Sequence, residues 1–97
     1  MVVLVARYYA IPGKGDAVEQ ALKEMAPKVK ELEPGCLMYQ VSRSHENADH
    51  FLLYEQYQDM AALEAHRETA HFKEIIGEKI SPLVERRERG FYNLVIS

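Results

Sequence analysis

The chain has a single cysteine, no run of basic residues and no long apolar stretch, and each shortage removes a class of function. Cys36 alone can form neither an internal disulfide nor a cysteine zinc site. Acidic and basic residues interleave, 15 against 12, so no concentrated positive face is expected for nucleic-acid phosphates. The first apolar run, Val2 to Ala6, stops at Arg7, which is too short for the core of a signal peptide. Nothing approaches the roughly 20 apolar residues of a membrane span. Repeats and low-complexity tracts are missing too, and Gly13-Lys-Gly15 carries neither a phosphate-loop nor a dinucleotide fingerprint. The expectation is a cytoplasmic protein without nucleotide, membrane or nucleic-acid partner.

What remains is enough for one core, expected to be a single domain over residues 1–97. Val2–Ile11 is rich in β-branched and aromatic residues and stops at Pro12-Gly13, a strand followed by a turn. Val18, Ala21, Leu22, Met25, Val29 and Leu32 then recur at helical spacing. Asp16 suits the start of that helix, Pro34-Gly35 ends it, and Pro27 should bend or split its last turns. Cys36–Ser44 and His50–Tyr57 read as a hairpin around a polar turn. Asp59 is a good N-cap for a helix from Met60. After a break near Glu68–Ala70, Phe72, Ile75, Ile76, Ile80 and Leu83 resume helical spacing, and Gly90–Ile96 closes the chain as a strand.

The order β-α-β-β-α-β is the α+β, ferredoxin-like pattern. Two helices cover one face of such a sheet. In the first strand Val3, Val5, Tyr9 and Ile11 point one way and Val2, Leu4, Ala6 and Tyr8 the other, so both faces are apolar. The second face needs a cover, and a homodimer packed sheet to sheet, a dimeric α+β barrel, is the simplest one.

His66 is the first candidate for chemistry. It follows Leu63 by three residues and Met60 by six, which turns it inward, where an imidazole can serve as acid or base near neutral pH. The bland alternative is a packed, hydrogen-bonded core histidine. Phe72 reads as core, and His71 as a cap or a solvent-facing residue. No two of the four histidines have the i, i+4 or His-x-His spacing of metal ligands, so no metal is expected. Cys36 lacks a cationic neighbour and reads as a small core residue. Arg7 and Glu55 lie mid-strand in neighbouring strands, as a cross-strand ion pair; were Glu55 in a pocket, it could instead bind a substrate hydroxyl. Tyrosines fall on strands, and some must wall any space under the helices. Tyr8 and Tyr54, with Phe72, are the candidate walls of a pocket suited to a planar, lightly polar molecule.

The segment His50-Phe-Leu-Leu-Tyr-Glu-Gln-Tyr-Gln-Asp-Met-Ala-Ala-Leu-Glu-Ala-His-Arg-Glu-Thr-Ala-His-Phe72, with Pro12-Gly-Lys-Gly15 and Glu33-Pro-Gly-Cys-Leu-Met-Tyr39, resembles the antibiotic biosynthesis monooxygenase family, which includes the quinol monooxygenases. The resemblance implies a dimer with a pocket between sheet and helices in each protomer. It also implies oxidation of phenolic or hydroquinone substrates by dioxygen without flavin, haem or metal, with His66 as acid/base and no cofactor. The polar positions of the polyketide-oxidising members correspond to Ala62, His66, Phe72 and Arg86, and two of these four lack a polar group. Haem-degrading relatives would need a histidine where Ile76 stands and an asparagine where Ala6 stands, which argues against that activity. Two other readings accompany the resemblance: an isomerase of a small phosphorylated metabolite, with Arg7, Arg67, Arg86 and Arg87 as available cations, and a non-catalytic module binding a small ligand.

Overall fold

The two apolar periods meet as expected, the strand period under the helix period. A computed structural model describes residues 1–97. Strands β1 (Val2–Ala10), β2 (Cys36–Arg43), β3 (His50–Tyr57) and β4 (Val84–Asn93) form one antiparallel sheet in the order β2-β3-β1-β4. Helix α1 (Gly15–Leu32) follows β1. Helix α2 (Met60–Glu68) follows β3 and leads into α3 (Phe72–Ile80), which has the wide π-helical pitch, and then into a single 3₁₀ turn at Ser81–Leu83. This is the ferredoxin-like α+β architecture. No helix is long and apolar enough to cross a membrane.

The core lies between the inner sheet face and the helices. Ala6, Tyr8 and Ala10 of β1 and Phe51 and Leu53 of β3 meet Val18, Leu22, Met25 and Val29 of α1 and Ile75, Ile76 and Ile80 of α3. Each large aliphatic buried here contributes about 1.5–3 kcal/mol. That sum explains why Pro27 does not split α1, although it withholds one backbone donor: the helix runs through it to Leu32.

Asp16 lies in the first turn of α1, as expected. The backbone donors ahead of it are taken by Asp49, from the β2–β3 turn, which accepts from the N–H groups of Gly13 and Gly15 at 3.1 and 2.9 Å. Gly13 sits at φ +88°, a conformation that favours glycine. A Cβ on Gly15 would collide with the Ala48 carbonyl oxygen, so there the close approach of the turn demands glycine. Arg43 completes the clamp, donating from Nε to Ala48 O at 2.6 Å and from Nη1 to Asp16 and Glu19 at 3.0 and 3.1 Å.

Register settles the faces. Leu4, Ala6 and Tyr8 face the helices; Val3, Val5, Arg7 and Tyr9 face out. Arg7 stands opposite Leu52 and Glu55 opposite Leu4. The expected Arg7–Glu55 pair does not form, because the period of two puts them on opposite faces. The outer face mixes Val5, Leu52 and Tyr54 with Arg7 and Gln56. The last strand starts at Val84 rather than Gly90, directly after helical structure that runs to Leu83 as expected, its last turn 3₁₀. Pro82 lies in that turn. Glu85-Arg-Arg-Glu-Arg89 shows no apolar alternation because an edge strand needs only its ladder to β1, and its side chains stay exposed.

Candidate active site

A cavity of about 450 Å³ opens between the inner sheet face and the α2–α3 segment. Ala6 leaves room at its floor, Tyr8 and Tyr39 stand on the sheet side, Phe72 and Ile76 on the helix side, and Arg87 and Arg89 at β4. His66 lines it while remaining 3% exposed.

Four side chains set the state of His66. Glu33, in the loop after α1, accepts a hydrogen bond from His66 Nδ1 at 2.7 Å and, through its other oxygen, one from His71 Nε2 at 2.5 Å. With Nδ1 holding the proton for a carboxylate, the neutral ring carries its lone pair on Nε2. That atom turns to Glu55, 3.8 Å away, which also lines the cavity. Tyr57 packs on the imidazole at 5.5 Å and Phe72 edge-on at 5.1 Å, fixing the plane of the ring.

The helix break makes this convergence possible. In an unbroken α-helix residues five apart point about 140° away from each other. Thr69 adopts an extended conformation (ψ 150°), donates its hydroxyl to His66 O at 2.8 Å and accepts from Phe72 N–H at 3.2 Å. The phase resets there, and both imidazoles reach one carboxylate. Asp59 caps the start of α2 as expected, accepting from Ala62 N–H at 2.8 Å.

The two buried carboxyls are displaced in opposite directions. Burial pushes Glu33 up, but the hydrogen bonds from His66 and His71 outweigh it and hold the group below its ordinary value. Burial also pushes Glu55 up and prevails there, although the Tyr57 hydroxyl donates to Glu55 Oε1 at 2.6 Å. Tyr8 is raised to about 12, by burial and by Glu55, with Arg87 and Arg89 pulling the other way. Cys36 is raised to about 11 by burial and by Glu55 and Glu33, the state of an inert thiol. An oriented base, a carboxyl displaced toward its neutral form and aromatic walls can bind a planar hydroxylated molecule and remove its proton.

Of the residues expected at the site, His66, Tyr8 and Phe72 come together. Tyr54 does not. Glu55 faces inward, so its neighbour Tyr54 must face outward, where its hydroxyl accepts from Gln56 Nε2 at 3.2 Å. Arg86 is likewise on the outer face, 4.2 Å above the Tyr9 ring. His71 is buried on Glu33 instead of capping or lying in solvent, and Met60 is exposed although His66 is not. His50 packs edge-on against Tyr9 at 4.7 Å. Glu33, Tyr39 and Arg89 complete the site without having been singled out for it, while Arg67 and Arg87, named only as available cations, line the cavity. Helical spacing carries no signal for a carboxylate whose partners are 33 and 38 residues away. No group of three or more His, Cys, Asp or Glu is arranged to hold a metal ion.

The model of the antibiotic biosynthesis monooxygenases matches residues 1–78. This chain belongs to the antibiotic biosynthesis monooxygenase family. The matched span includes Glu33, Glu55, His66 and His71; β4 lies beyond it. No curated protein matches the chain. Among solved structures, a candidate antibiotic biosynthesis monooxygenase from Caulobacter crescentus is 31% identical, with 98% of this chain and 90% of that one covered and a TM-score of 0.91. A protein from Pseudomonas aeruginosa is 29% identical over 98% of this chain and 94% of its own, at a TM-score of 0.87. A further candidate member from Bacteroides thetaiotaomicron is 27% identical over 98% and 90%, at 0.89. Family membership points to a monooxygenase-like function.

Proposed function

We propose that this family member oxidises quinol or polycyclic phenol-type substrates with dioxygen, using no cofactor, with His66 as the catalytic acid/base. The observation that carries the reading is the Glu33–His66 hydrogen bond at 2.7 Å, which leaves Nε2 free on the cavity side. His66 Nε2 takes the proton of a substrate hydroxyl, and a ring carbon of the electron-rich anion that results bonds to dioxygen. Imidazolium, between Glu33 and Glu55, returns the proton to the peroxide so formed; its O–O bond then breaks as the C–H hydrogen of that carbon leaves, one oxygen staying as a quinone carbonyl and the other departing as water. Tyr8, Tyr39 and Phe72 hold the ring and exclude water. Arg67, on the same cavity, faces the oxygen as it becomes negative.

The test is oxygen uptake by metal-free, flavin-free protein with a panel of naphthohydroquinones and anthrones, against a protein-free blank. His66→Ala should lower turnover by about 10²–10⁴-fold with the fold intact by circular dichroism. Wild-type rates equal to the blank, or a fully active mutant, would refute the mechanism.

Association through the outer face is part of the same reading. Val5, Leu52 and Tyr54 provide its apolar centre, and Val5→Glu should convert a dimer to monomer in sedimentation equilibrium; an unchanged mass would locate the interface elsewhere.

One observation favours the isomerase reading. Arg67, Arg87 and Arg89 all line the cavity, and a phosphorylated metabolite would need such cations. Deuterium uptake from solvent into a phosphorylated hydroxyketone, without oxygen consumption, would select that reading.

A further inference from the structure

Strand β4 carries two kinds of arginine. On its outer face Arg86 pairs with Glu88 at 3.4 Å and stacks on Tyr9, whose hydroxyl donates to Glu88 at 2.7 Å. On its inner face Arg87 and Arg89, opposite Tyr8 and Ala6 in register, line the cavity. No carboxylate lies within 4.0 Å of either. Arg67 reaches the same space from α2, also without a carboxylate at that distance, and its Nη2 is buried with no hydrogen-bond partner.

A chain with a formal charge of −3 thus brings three guanidinium groups to one opening and gives none of them an ionic partner. Side chains two apart on a strand share a face about 7 Å apart, so Arg87 and Arg89 repel each other. A buried guanidinium nitrogen left unbonded is costly as well. Both costs are offset when an anion enters. The outer face of the same strand shows that available carboxylates are used where a ligand is not expected.

We propose that the ligand of this cavity is a planar aromatic acid, its carboxylate held by Arg87 and Arg89 at the open β4 side and its ring hydroxyl directed to His66. The proposal rests on the reading of the cavity as a site for phenol-type substrates and adds the charge of the substrate to it. Guanidinium forks match carboxylate geometry, and Tyr8, Tyr39 and Phe72 provide flat walls for the ring. Deprotonation at His66 adds a second negative charge to such a ligand, and the unpartnered Nη2 of Arg67 is the donor available to it.

The test uses redox-inert ligands, so that it does not depend on oxygen chemistry. Hydroxynaphthoic acid, its methyl ester and naphthyl phosphate are titrated by calorimetry into wild type, Arg87→Gln, Arg89→Gln and, as an outer-face control, Arg86→Gln. The acid should bind at least about tenfold tighter than the ester. That preference should shrink in Arg87→Gln and Arg89→Gln, persist in Arg86→Gln and weaken with added salt. Equal affinity for acid and ester, or the same loss in Arg86→Gln as in Arg87→Gln, would overturn the proposal. Tighter binding of the phosphate than of the acid would overturn the aromatic-acid assignment in favour of a phosphorylated ligand. Acid binding without oxygen uptake would retain the acid site and remove the oxidative reading; oxygen uptake with no acid preference would do the reverse.

Discussion

The two ends of α1 are both tied down through carboxylates, in opposite ways. At the N-terminal end Arg43 holds Asp16 and Glu19 in the open, with the Asp16 side chain 96% exposed. Beyond the C-terminal end Glu33 is buried and takes two imidazoles, one on each oxygen. The exposed network gains little, because water and salt screen it. The buried one has no water to replace a lost partner, so each member fixes the others. One end of the helix is an architectural clamp. The other sets the orientation and proton position of the residue expected to do chemistry.

Substitutions can break this contrast at either end. Glu33→Gln should have the largest effect: a fall in stability of about 1–3 kcal/mol, and a drop in oxygen uptake of about a hundredfold or more, because the amide no longer enforces the Nδ1–H tautomer. Glu33 is held below its ordinary value of 4.5 in the folded protein. Its stabilisation is therefore present above that pH and lost as pH falls through the folded value. Urea midpoints of wild type and Glu33→Gln should converge on acidification; a gap that persists in acid would mean the charge is irrelevant.

Glu55→Gln should act more weakly and with the opposite sign. Its folded value is raised, so the ionised form costs stability as pH rises through it. The variant should gain urea midpoint at neutral pH and lose that gain in acid, since glutamine can still accept from Tyr57. A loss at neutral pH would show that the ionised carboxylate is needed. Arg43→Gln should give the smallest change, a slight lowering of the midpoint that shrinks further in high salt. A decrease as large as that of Glu33→Gln would erase the distinction between the two ends.

Much of this was legible in the residues. The helix stripe from Val18 to Val29, the hairpin and the Asp59 cap follow from local periods and caps, which the tertiary structure reinforces. His66 was legible because Leu63 one turn before it is core. Tyr54 and Glu55 could have been separated by the period of two alone: Phe51, Leu53 and Tyr57 all share the parity of Glu55. The placement of the two β4 arginines was obscured because the charged run before Gly90 hides an edge strand; once paired to β1, its alternation places Arg87 and Arg89 inward. Glu33 and His71 were beyond reach of local reasoning. Their contact depends on the helix break at Thr69 and on how the loop after α1 meets it.

The central claim is that Glu33 fixes His66 with its proton on Nδ1 and its lone pair on Nε2. Nitrogen-15 NMR of histidine-labelled protein, assigned through His66→Ala and recorded where the ring is neutral, measures this without any substrate. The account predicts a protonated Nδ1 and an unprotonated, pyridine-like Nε2 in wild type, with a mixture of tautomers in Glu33→Gln. A proton on Nε2 in wild type would contradict it, for the cavity would then face a donor and not a base.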